Sequence, residues 1–382
     1  MKKEAILQVN GIYKSFGVVK ALKDVSISFL PGEIHGLIGE NGSGKSTLSS
    51  IISGIYSCNQ GEMILDGKVY KPTSIMDGEK HGICMIVQEM GTIGGITVAA
   101  NVFAGKEELF SRLGIVNRKA MNRAAQEALD KIGASYIKAE NKIDEESFEN
   151  RKIVEIARAM FNDVKVLIID ETTTALSQKG RELIYQIMDR LKDENKVVIF
   201  ISHDLDELTE HCNKVTVLRD GVYIKTLHGE EIQPDAMRQL MIGREVQDNY
   251  YRDDYDDYRG GEDVITVENV CTEGGLQNVS FALKKGEILG IGGLTDSGMH
   301  DLGRTVFGLE KCEKGSVYLS SSGEKIQSPQ KAIRHKIGYV SKNRDKESIL
   351  NQSNIMDNIC LTSYDNIKQG IYIAPKAEKN LA

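Results

Sequence analysis

An internal repeat at a constant spacing restricts the fold of this chain more than any other feature. Residues 24–39 read DVSISFLPGEIHGLIG, and residues 278–293 read NVSFALKKGEILGIGG. Val25 and Val279 stand 254 residues apart, and the same separation relates matching residues as far along as Ile83. A constant separation of domain size indicates a duplicated domain rather than a short solenoid repeat.

The repeat divides the chain into three parts. The first copy is predicted to span residues 1–245. Residues 246–263, VQDNYYRDDYDDYRGGED, are charged and tyrosine-rich without a helical or strand period, which indicates an exposed linker. The second copy spans residues 264–382 and is about half as long as the first, so we expect a partial domain there.

Short apolar runs alternate with helical patterns in the first copy. The runs EIHGLI, VKVLIID, KVVIFIS and KVTVLRD have the length of buried strands, and patterns such as GRELIYQIMDRLK separate them. A helical region is predicted between residues 117 and 160. Buried strands that alternate with helices predict an α/β fold with a mainly parallel sheet.

Composition excludes several classes of protein. The net charge of −7 disfavours a protein that grips nucleic-acid phosphates, because such domains are usually basic. The N-terminus has no apolar stretch of signal-peptide length, and no apolar run approaches the ~20 residues of a membrane helix. We therefore expect a soluble cytoplasmic protein that contacts a membrane through its partners.

The segment GENGSGKST, residues 39–47, matches the phosphate-loop pattern G-x-x-x-x-G-K-[ST]. It follows a strand pattern and precedes a helical one, which is the context that this motif requires. Backbone N–H groups in such a loop converge on phosphate oxygens at the positive end of a helix, and the lysine adds a point charge. The predicted phosphate-binding residues are Gly39, Asn41, Gly42, Ser43, Gly44, Lys45, Ser46 and Thr47.

Two further segments place polar side chains after buried strands. Asp170 and Glu171 end the run VLIIDE, and His203 follows the run VVIFIS. By itself, an acid pair at this place is common at a helix N-terminus, and a histidine after a buried strand is usually structural or solvent-facing. Beside a phosphate loop, Asp170 is better interpreted as a Mg²⁺ ligand, Glu171 as the base for an attacking water, and His203 as a γ-phosphate contact.

In their order and spacing, these segments resemble the nucleotide-binding domain of ABC transporters over nearly the whole chain. The resemblance implies a P-loop NTPase fold of the ABC type with a helical subdomain, duplicated here with a partial second copy. It implies ATP and Mg²⁺ as ligands. It also assigns roles to single residues: catalysis to Glu171, His203 and the Q-loop Gln88, Mg²⁺ binding to Ser46, Gln88 and Asp170, and adenine stacking to Phe16.

The tandem layout, together with VTVLRDG and LMIGRE, is similar to the ATPase subunits of monosaccharide importers of the ribose, galactose and xylose type. That resemblance implies two transmembrane permease subunits and a periplasmic or extracellular solute-binding protein as partners. It places the chain peripherally on the cytoplasmic face of the plasma membrane. The solute stays open, because specificity in such systems lies mainly in the binding protein and the permeases.

The first copy departs from the family pattern at the signature segment. The family sequence is approximately L-S-V-G-E, whereas this chain has ESFEN, with Glu149 at the glycine position. A carboxylate and a Cβ at that position are expected to oppose a phosphate held by the other copy. Thr172 replaces a usual proline, which is a milder change.

The second copy departs further. Met299 stands where the first copy has Lys45, and His300 stands where it has Ser46. Lys342 stands where the first copy has Gln88. We expect this loop to bind ATP weakly or not at all. In a head-to-tail pair of cassettes, the altered signature segment ESFEN would face this altered loop.

Three functions remain open from the sequence. The favoured one is the energy-coupling ATPase of an importer, with the second signature supplied by a longer natural chain or by a second polypeptide. The alternative is a truncated ATP-binding module with little or no hydrolysis of its own. A soluble ABC ATPase of translation or DNA repair is disfavoured by the net charge, the linker composition and the sugar-type repeat.

Overall fold

The computed structural model describes residues 4–87, 91–112, 114–243, 261–293, 297–341, 347–370 and 372–382. The chain divides into two compact units, Met1–Arg252 and Asp253–Ala382. Most of the linker expected at residues 246–263 lies outside the described residues, as does the position of Gln88. The two units are described separately below.

The first unit combines strands and helices in alternation from β3 onward. Its strands are β1 (Leu7–Phe16), β2 (Val19–Phe29), β3 (Glu33–Ile38), β4 (Gln60–Leu65), β5 (Lys68–Tyr70), β6 (Ile83–Ile86), β7 (Ser111–Arg112), β8 (Ile115–Val116), β9 (Val166–Asp170), β10 (Val197–Ile201), β11 (Lys214–Arg219) and β12 (Val222–His228). Its helices are α1 (Lys45–Ile52), α2 (Ile75–Lys80), α3 (Val98–Val102), α4 (Arg118–Lys131), α5 (Phe148–Met160), α6 (Gln178–Asp193), α7 (Leu205–His211) and α8 (Pro234–Ile242). Short 3₁₀ turns lie at Glu107–Phe110, Ile143–Glu145, Thr173–Ala175 and Gly229–Glu231.

The main sheet of the first unit has the order β12-β11-β3-β10-β9-β6 among the described residues. All neighbouring pairs from β11 to β6 are parallel, and β12 adds an antiparallel edge strand. The prediction of an α/β fold with a mainly parallel sheet is therefore confirmed. The helical region expected between residues 117 and 160 contains α4 and α5.

A second, antiparallel sheet with the order β2-β1-β4-β5 covers one side of the main sheet. The two faces of each central strand contribute to different cores. In β9, Val166 and Ile168 pack with α1 and the antiparallel sheet, whereas Leu167 and Ile169 pack with the helices on the other face. Burial on both faces explains why these strands read as continuous apolar runs in the sequence.

The second unit repeats the start of the first. Its strands are β13 (Asp263–Cys271), β14 (Val279–Lys284), β15 (Lys314–Leu319), β16 (Lys368–Gln369) and β17 (Tyr372–Ile373). Its helices are α9 (Met299–Val306), α10 (Pro329–Arg334), α11 (Ile355–Cys360), α12 (Tyr364–Ile367) and α13 (Pro375–Leu381), with a 3₁₀ turn at Leu361–Ser363. The elements α9, β15 and α10 begin and end 254 residues after α1, β4 and α2. The predicted duplication is confirmed by this exact register.

The copies differ at the central strand. In the first unit, β3 lies between β10 and β11, and Ile34 is fully buried. The matching residues 287–292 of the second unit form no strand, and Ile288 is 95% exposed. Strands equivalent to β10 and β11 are absent from the second unit's described residues, so this segment has no neighbours with which to pair.

Across the parts of the chain that the structure describes, no helix has the length and apolar character to cross a bilayer.

Candidate functional site

The parallel sheet brings the predicted site residues to one edge. Because β3, β9 and β10 run in the same direction, their carboxyl ends lie side by side. The predicted phosphate loop follows β3, Asp170 ends β9, and His203 follows β10 by two residues. Ligands of open α/β sheets bind at this edge.

The loop between β3 and α1 is shaped by its glycines. A side chain at Gly39 would collide with the carbonyl oxygen of Leu218 and with the Ser43 side chain. Gly44 caps α1 with a φ of 101°, a conformation that L residues with a side chain rarely adopt. These positions let the backbone turn sharply into the helix, whose N-terminal N–H groups then point out of the loop.

Lys45 is the cation at the centre of this loop. Its Nζ donates hydrogen bonds to the carbonyl oxygens of Gly39 at 2.7 Å and Glu40 at 3.1 Å. Burial lowers the pKa of Lys45, and the carboxylates of Glu171 and Asp170 oppose that change. These bonds hold the Lys45 side chain over the loop, so that its positive charge is already in position to bind an anion.

Asp170 is a buried carboxylate beside the loop. Burial raises its pKa, and a hydrogen bond from the Ser46 side chain lowers it in part. Its Oδ1 atom is buried and has no hydrogen-bond partner among the described residues. A hydroxyl next to a carboxylate oxygen that lacks a partner fits Mg²⁺, which is usually held by one or two protein oxygens together with substrate phosphates and water.

Glu171 and His203 form a pair at the same edge. The Nε2 atom of His203 lies 2.5 Å from Oε1 of Glu171. Glu171 has a φ of 45°, which is unusual for a residue with a side chain. Its N–H donates to the carbonyl oxygen of Ile201 at 3.0 Å, which ties this conformation to the end of β10.

Lys45, Ser46, Glu171 and His203 open on one cavity of about 650 Å³. This volume falls within the range of small-molecule sites. Its other lining residues are Val19, Lys20, Ala21, Asn41, Gly42, Gly44 and Thr47. The sequence did not point to Val19, Lys20 and Ala21, which line the cavity from the start of β2.

Phe16, predicted to stack on adenine, is not among the residues that line this cavity. Its ring is half-exposed and lies edge-on to Tyr56, with 5.1 Å between the ring centroids. The Lys14 Nζ atom lies 5.0 Å from the centre of the Phe16 ring. In this conformation, Phe16 packs against its neighbours just outside the cavity.

Glu149 has a partner within its own unit. Its carboxylate accepts hydrogen bonds from the Ser177 hydroxyl at 2.7 Å and from the Ser177 N–H at 3.3 Å. Ser177 is the residue that caps α6. The negative charge therefore lies at the positive end of a sixteen-residue helix, which stabilises it.

A second group that the sequence reasoning missed lies on α5. Lys152 Nζ donates to the Val87 carbonyl oxygen at 2.7 Å, and the Glu155 carboxylate accepts from the Gly91 N–H at 2.7 Å. Arg158 donates to the Gly91 carbonyl oxygen at 2.9 Å. We call these three side chains the α5 clamp, because they hold both flanks of the segment that contains Gln88. The available sequence clue was a charged residue at every third position, 152, 155 and 158, among the apolar residues of the second part of α5.

The Lys152→Met variant should destabilise the first unit by about 3 kcal/mol, because removing one partner of a buried ion pair leaves the other uncompensated. Lys152 is fully buried, and its Nζ lies 3.2 Å from the Glu155 carboxylate. Urea titration with pulse proteolysis, read on peptides of the first unit, measures this loss. The double variant with Glu155→Gln is the control, and it should recover about 1 kcal/mol or more. Additive losses from the two substitutions would contradict the ion-pair explanation.

The corresponding loop of the second unit has no cation at the position of Lys45. Met299 begins α9, after Gly298 with a φ of 80°, so the backbone turn is retained. His300, at the position of Ser46, is exposed. Leu294, Thr295 and Asp296 lie outside the described residues. The described part of this loop keeps the left-handed glycine before the helix but lacks the lysine that follows it in the first unit.

Comparison with known proteins agrees with this geometry. The model of the ABC transporter family matches residues 22–174. The structure also resembles the ATP-binding cassette MJ1267 in its ADP conformation, with a TM-score of 0.55, 25% identity, and coverage of 63% of this chain and 98% of that one. A nucleotide-free ATP-binding cassette of an ABC transporter gives a TM-score of 0.53 at 26% identity, covering 60% of this chain and 93% of that chain.

Relatives match almost the whole chain. The ribose import ATP-binding protein RbsA of Lacticaseibacillus paracasei is 36% identical over 96% of this chain and 72% of its own length. The proteins of the same name from Caldanaerobacter subterraneus and Yersinia pestis are each 34% identical over 96% of this chain, and 73% and 71% of their own lengths are covered. The chain therefore belongs to the ABC transporter family, among the ATP-binding proteins of sugar import.

Proposed function

We propose that the first unit binds MgATP in the cavity beside Lys45 and hydrolyses it with Glu171 and His203. The observation that most supports this proposal is that one cavity is lined by Lys45, Ser46, Glu171 and His203. The domains we propose are a complete cassette at residues 1–245, a linker at 246–263 and a partial cassette at 264–382.

The residues divide the work of hydrolysis among them. The loop N–H groups and Lys45 bind the β- and γ-phosphates, which orients the terminal phosphorus toward Glu171. Glu171 orients the attacking water and accepts its proton. His203 holds the Glu171 carboxylate through their contact and reaches toward the γ-phosphate. Phe16 would contact the adenine after a local shift of its ring.

Ser46, Asp170 and Gln88 would hold Mg²⁺. When bound, the ion would neutralise part of the negative charge on the phosphate oxygens. The oxygen of Asp170 without a partner supports this assignment.

We further propose that the chain serves an importer of ribose or a related monosaccharide. The names of the relatives support this solute class. The proposed partners are two transmembrane permease subunits and a solute-binding protein outside the membrane, and the proposed location is the cytoplasmic face of the plasma membrane. A second polypeptide that completes the second unit remains an additional proposed partner.

A transport experiment tests this role. Uptake of labelled ribose, galactose and xylose is measured in cells that lack the chain, and again after complementation. Uptake of at least one sugar should fall and should recover with the wild-type chain but not with Glu171→Gln. Unchanged uptake of all three sugars in the cells without the chain would contradict a sugar-import role.

Replacing Glu149 by glycine should leave the affinity of the Lys45 site for MgATP within about two-fold, because its charge is bound by Ser177 and it does not line the cavity. Equilibrium binding of a fluorescent ATP analogue measures this. Ser177→Ala is the matched control, because it removes the other half of the same contact. A tenfold or larger change in either variant would show that the signature segment acts on this site.

A further inference from the structure

Glu207 is a buried carboxylate that the proposed mechanism does not use. It lies on α7 and is 8% exposed. Its Oε2 atom accepts hydrogen bonds from the hydroxyls of Ser202 at 2.6 Å and Thr173 at 2.9 Å. Its Oε1 atom accepts from the Tyr185 hydroxyl at 2.6 Å. Burial together with this carboxylate raises the pKa of Tyr185, so its hydroxyl stays protonated and donates.

Two of these three hydroxyls belong to the loops that carry the proposed catalytic pair. Ser202 directly precedes His203, and Thr173 is the second residue after Glu171. Both are buried. Tyr185 lies in the middle of α6 and stacks on His211, with ring centroids 3.8 Å apart. One carboxylate oxygen therefore joins the two loops, and the other oxygen binds a helix outside them.

The loop of Glu171 needs support of this kind. A residue other than glycine keeps a backbone φ of 45° only where the surrounding structure holds it in that conformation. Besides the contact of Glu171 with His203, the Glu171 N–H bond to Ile201 and the bridge through Glu207 connect this loop to the end of β10 and the residues after it. Asp204 adds to this support, because its N–H donates to the Ser202 hydroxyl at 3.0 Å and its carboxylate caps α7.

We propose that Glu207 is a positioning residue for ATP hydrolysis. Through Ser202 and Thr173 it holds the two loops at the separation at which His203 and Glu171 meet. This inference rests on the proposed roles of Glu171 and His203. A small displacement of reacting groups can cost about 100-fold in rate, so a single side chain that sets the separation has a measurable effect on turnover without touching the nucleotide.

The three hydroxyls provide a matched set of variants. Thr173→Val, Ser202→Ala and Tyr185→Phe each remove one hydroxyl from the same carboxylate. Thr173→Val and Ser202→Ala should lower kcat of the full chain about tenfold, whereas Tyr185→Phe should change it less than about two-fold. The MgATP dissociation constant should stay within about two-fold for all three. Thr173→Ser and Ser202→Thr keep the hydroxyl and should restore turnover.

Amide exchange gives a second readout that does not depend on turnover. The Glu171 N–H, which bonds across to Ile201, should exchange faster in Thr173→Val and Ser202→Ala than in the wild type or in Tyr185→Phe. Equal loss of kcat in all three variants would mean a general structural role and would overturn the proposal. Unchanged Glu171 exchange in the two loop variants would also overturn it. If wild-type turnover equals that of Glu171→Gln, the assignment of Glu171 as the base is contradicted, not the role of Glu207. The exchange rates of the Glu171 N–H in the three variants then decide whether Glu207 positions the two loops.

Discussion

Replacing Glu171 by glutamine is expected to lower the rate of ATP hydrolysis by about 100-fold or more, because a positioned general base contributes about 10²–10⁴-fold to such a reaction. Glutamine keeps the size of the side chain, and its amide oxygen still accepts a hydrogen bond from His203. MgATP affinity should therefore change less than about two-fold. Single-turnover hydrolysis of radiolabelled ATP by the full chain measures the rate.

Glu182→Gln is the matched control for this substitution. Glu182 is on α6, and its carboxylate makes an exposed contact with Gln178. The same chemical change there should leave turnover within about two-fold of the wild type. Equal rates for Glu171→Gln and the wild-type chain would mean that Glu171 is not the base, even though it lies beside His203.

Replacing Lys45 by methionine should weaken MgATP binding by about 30- to 1,000-fold. A charge 4 Å from a phosphate charge contributes about 4 kcal/mol at an effective dielectric constant near 20, and partial exposure of the cavity reduces this toward about 2 kcal/mol. The lysine also donates to the carbonyl oxygens of Gly39 and Glu40. Isothermal titration of the full chain with MgATP measures the affinity.

The second unit supplies the control for this experiment, because methionine is already present at the matching position, 299. Met299→Leu keeps an apolar side chain there and should leave the total MgATP affinity unchanged within about two-fold. Hydrogen exchange of α1 should be the same in Lys45→Met and the wild type, which excludes loss of the loop fold as the cause. MgATP affinity preserved in Lys45→Met would contradict the assignment of the loop.

The parts of the fold that depend on local pattern could be predicted from the sequence. The strand EIHGLI forms β3 over its full length, and α1 begins at Lys45, where the phosphate-loop motif places a helix N-terminus. Apolar runs buried on both faces predicted the parallel sheet, and a parallel sheet brings Asp170 and His203 to one edge. A period of two or of 3.6 residues and a glycine-dependent turn are properties of a short segment.

The parts that depend on distant neighbours could not be predicted in this way. The segment EILGIG of the second unit is also largely apolar and keeps three of the six residues of EIHGLI, yet it forms no strand. In the first unit, β3 is held as a strand by pairing with β10 and β11. The antiparallel sheet of β1, β2 and β4 was likewise not predicted from the sequence. The pairing of β1 with β4 joins segments that are far apart in the chain.

Contacts between residues distant in the sequence also decide the arrangement of the candidate functional site. The structure places the Glu149 carboxylate on Ser177, a partner that lies outside the signature segment ESFEN. The expected effect of Glu149 on a phosphate held by the other copy stays a prediction. Glu207, Lys152 and Glu155 each act on segments outside their own helix. Phe16 lies near the cavity rather than in it. Side-chain partners across elements are set by packing, which local sequence does not encode.

The stoichiometry of MgATP binding tests the central claim most directly. Equilibrium dialysis of the full chain with labelled ATP and Mg²⁺ counts the nucleotides bound per chain at saturation. A first loop with a lysine and a second loop without one predict a single site in the wild type. That site should no longer be occupied over the same concentration range in Lys45→Met. Two sites in the wild type, or one site retained at the same affinity in Lys45→Met, would contradict it.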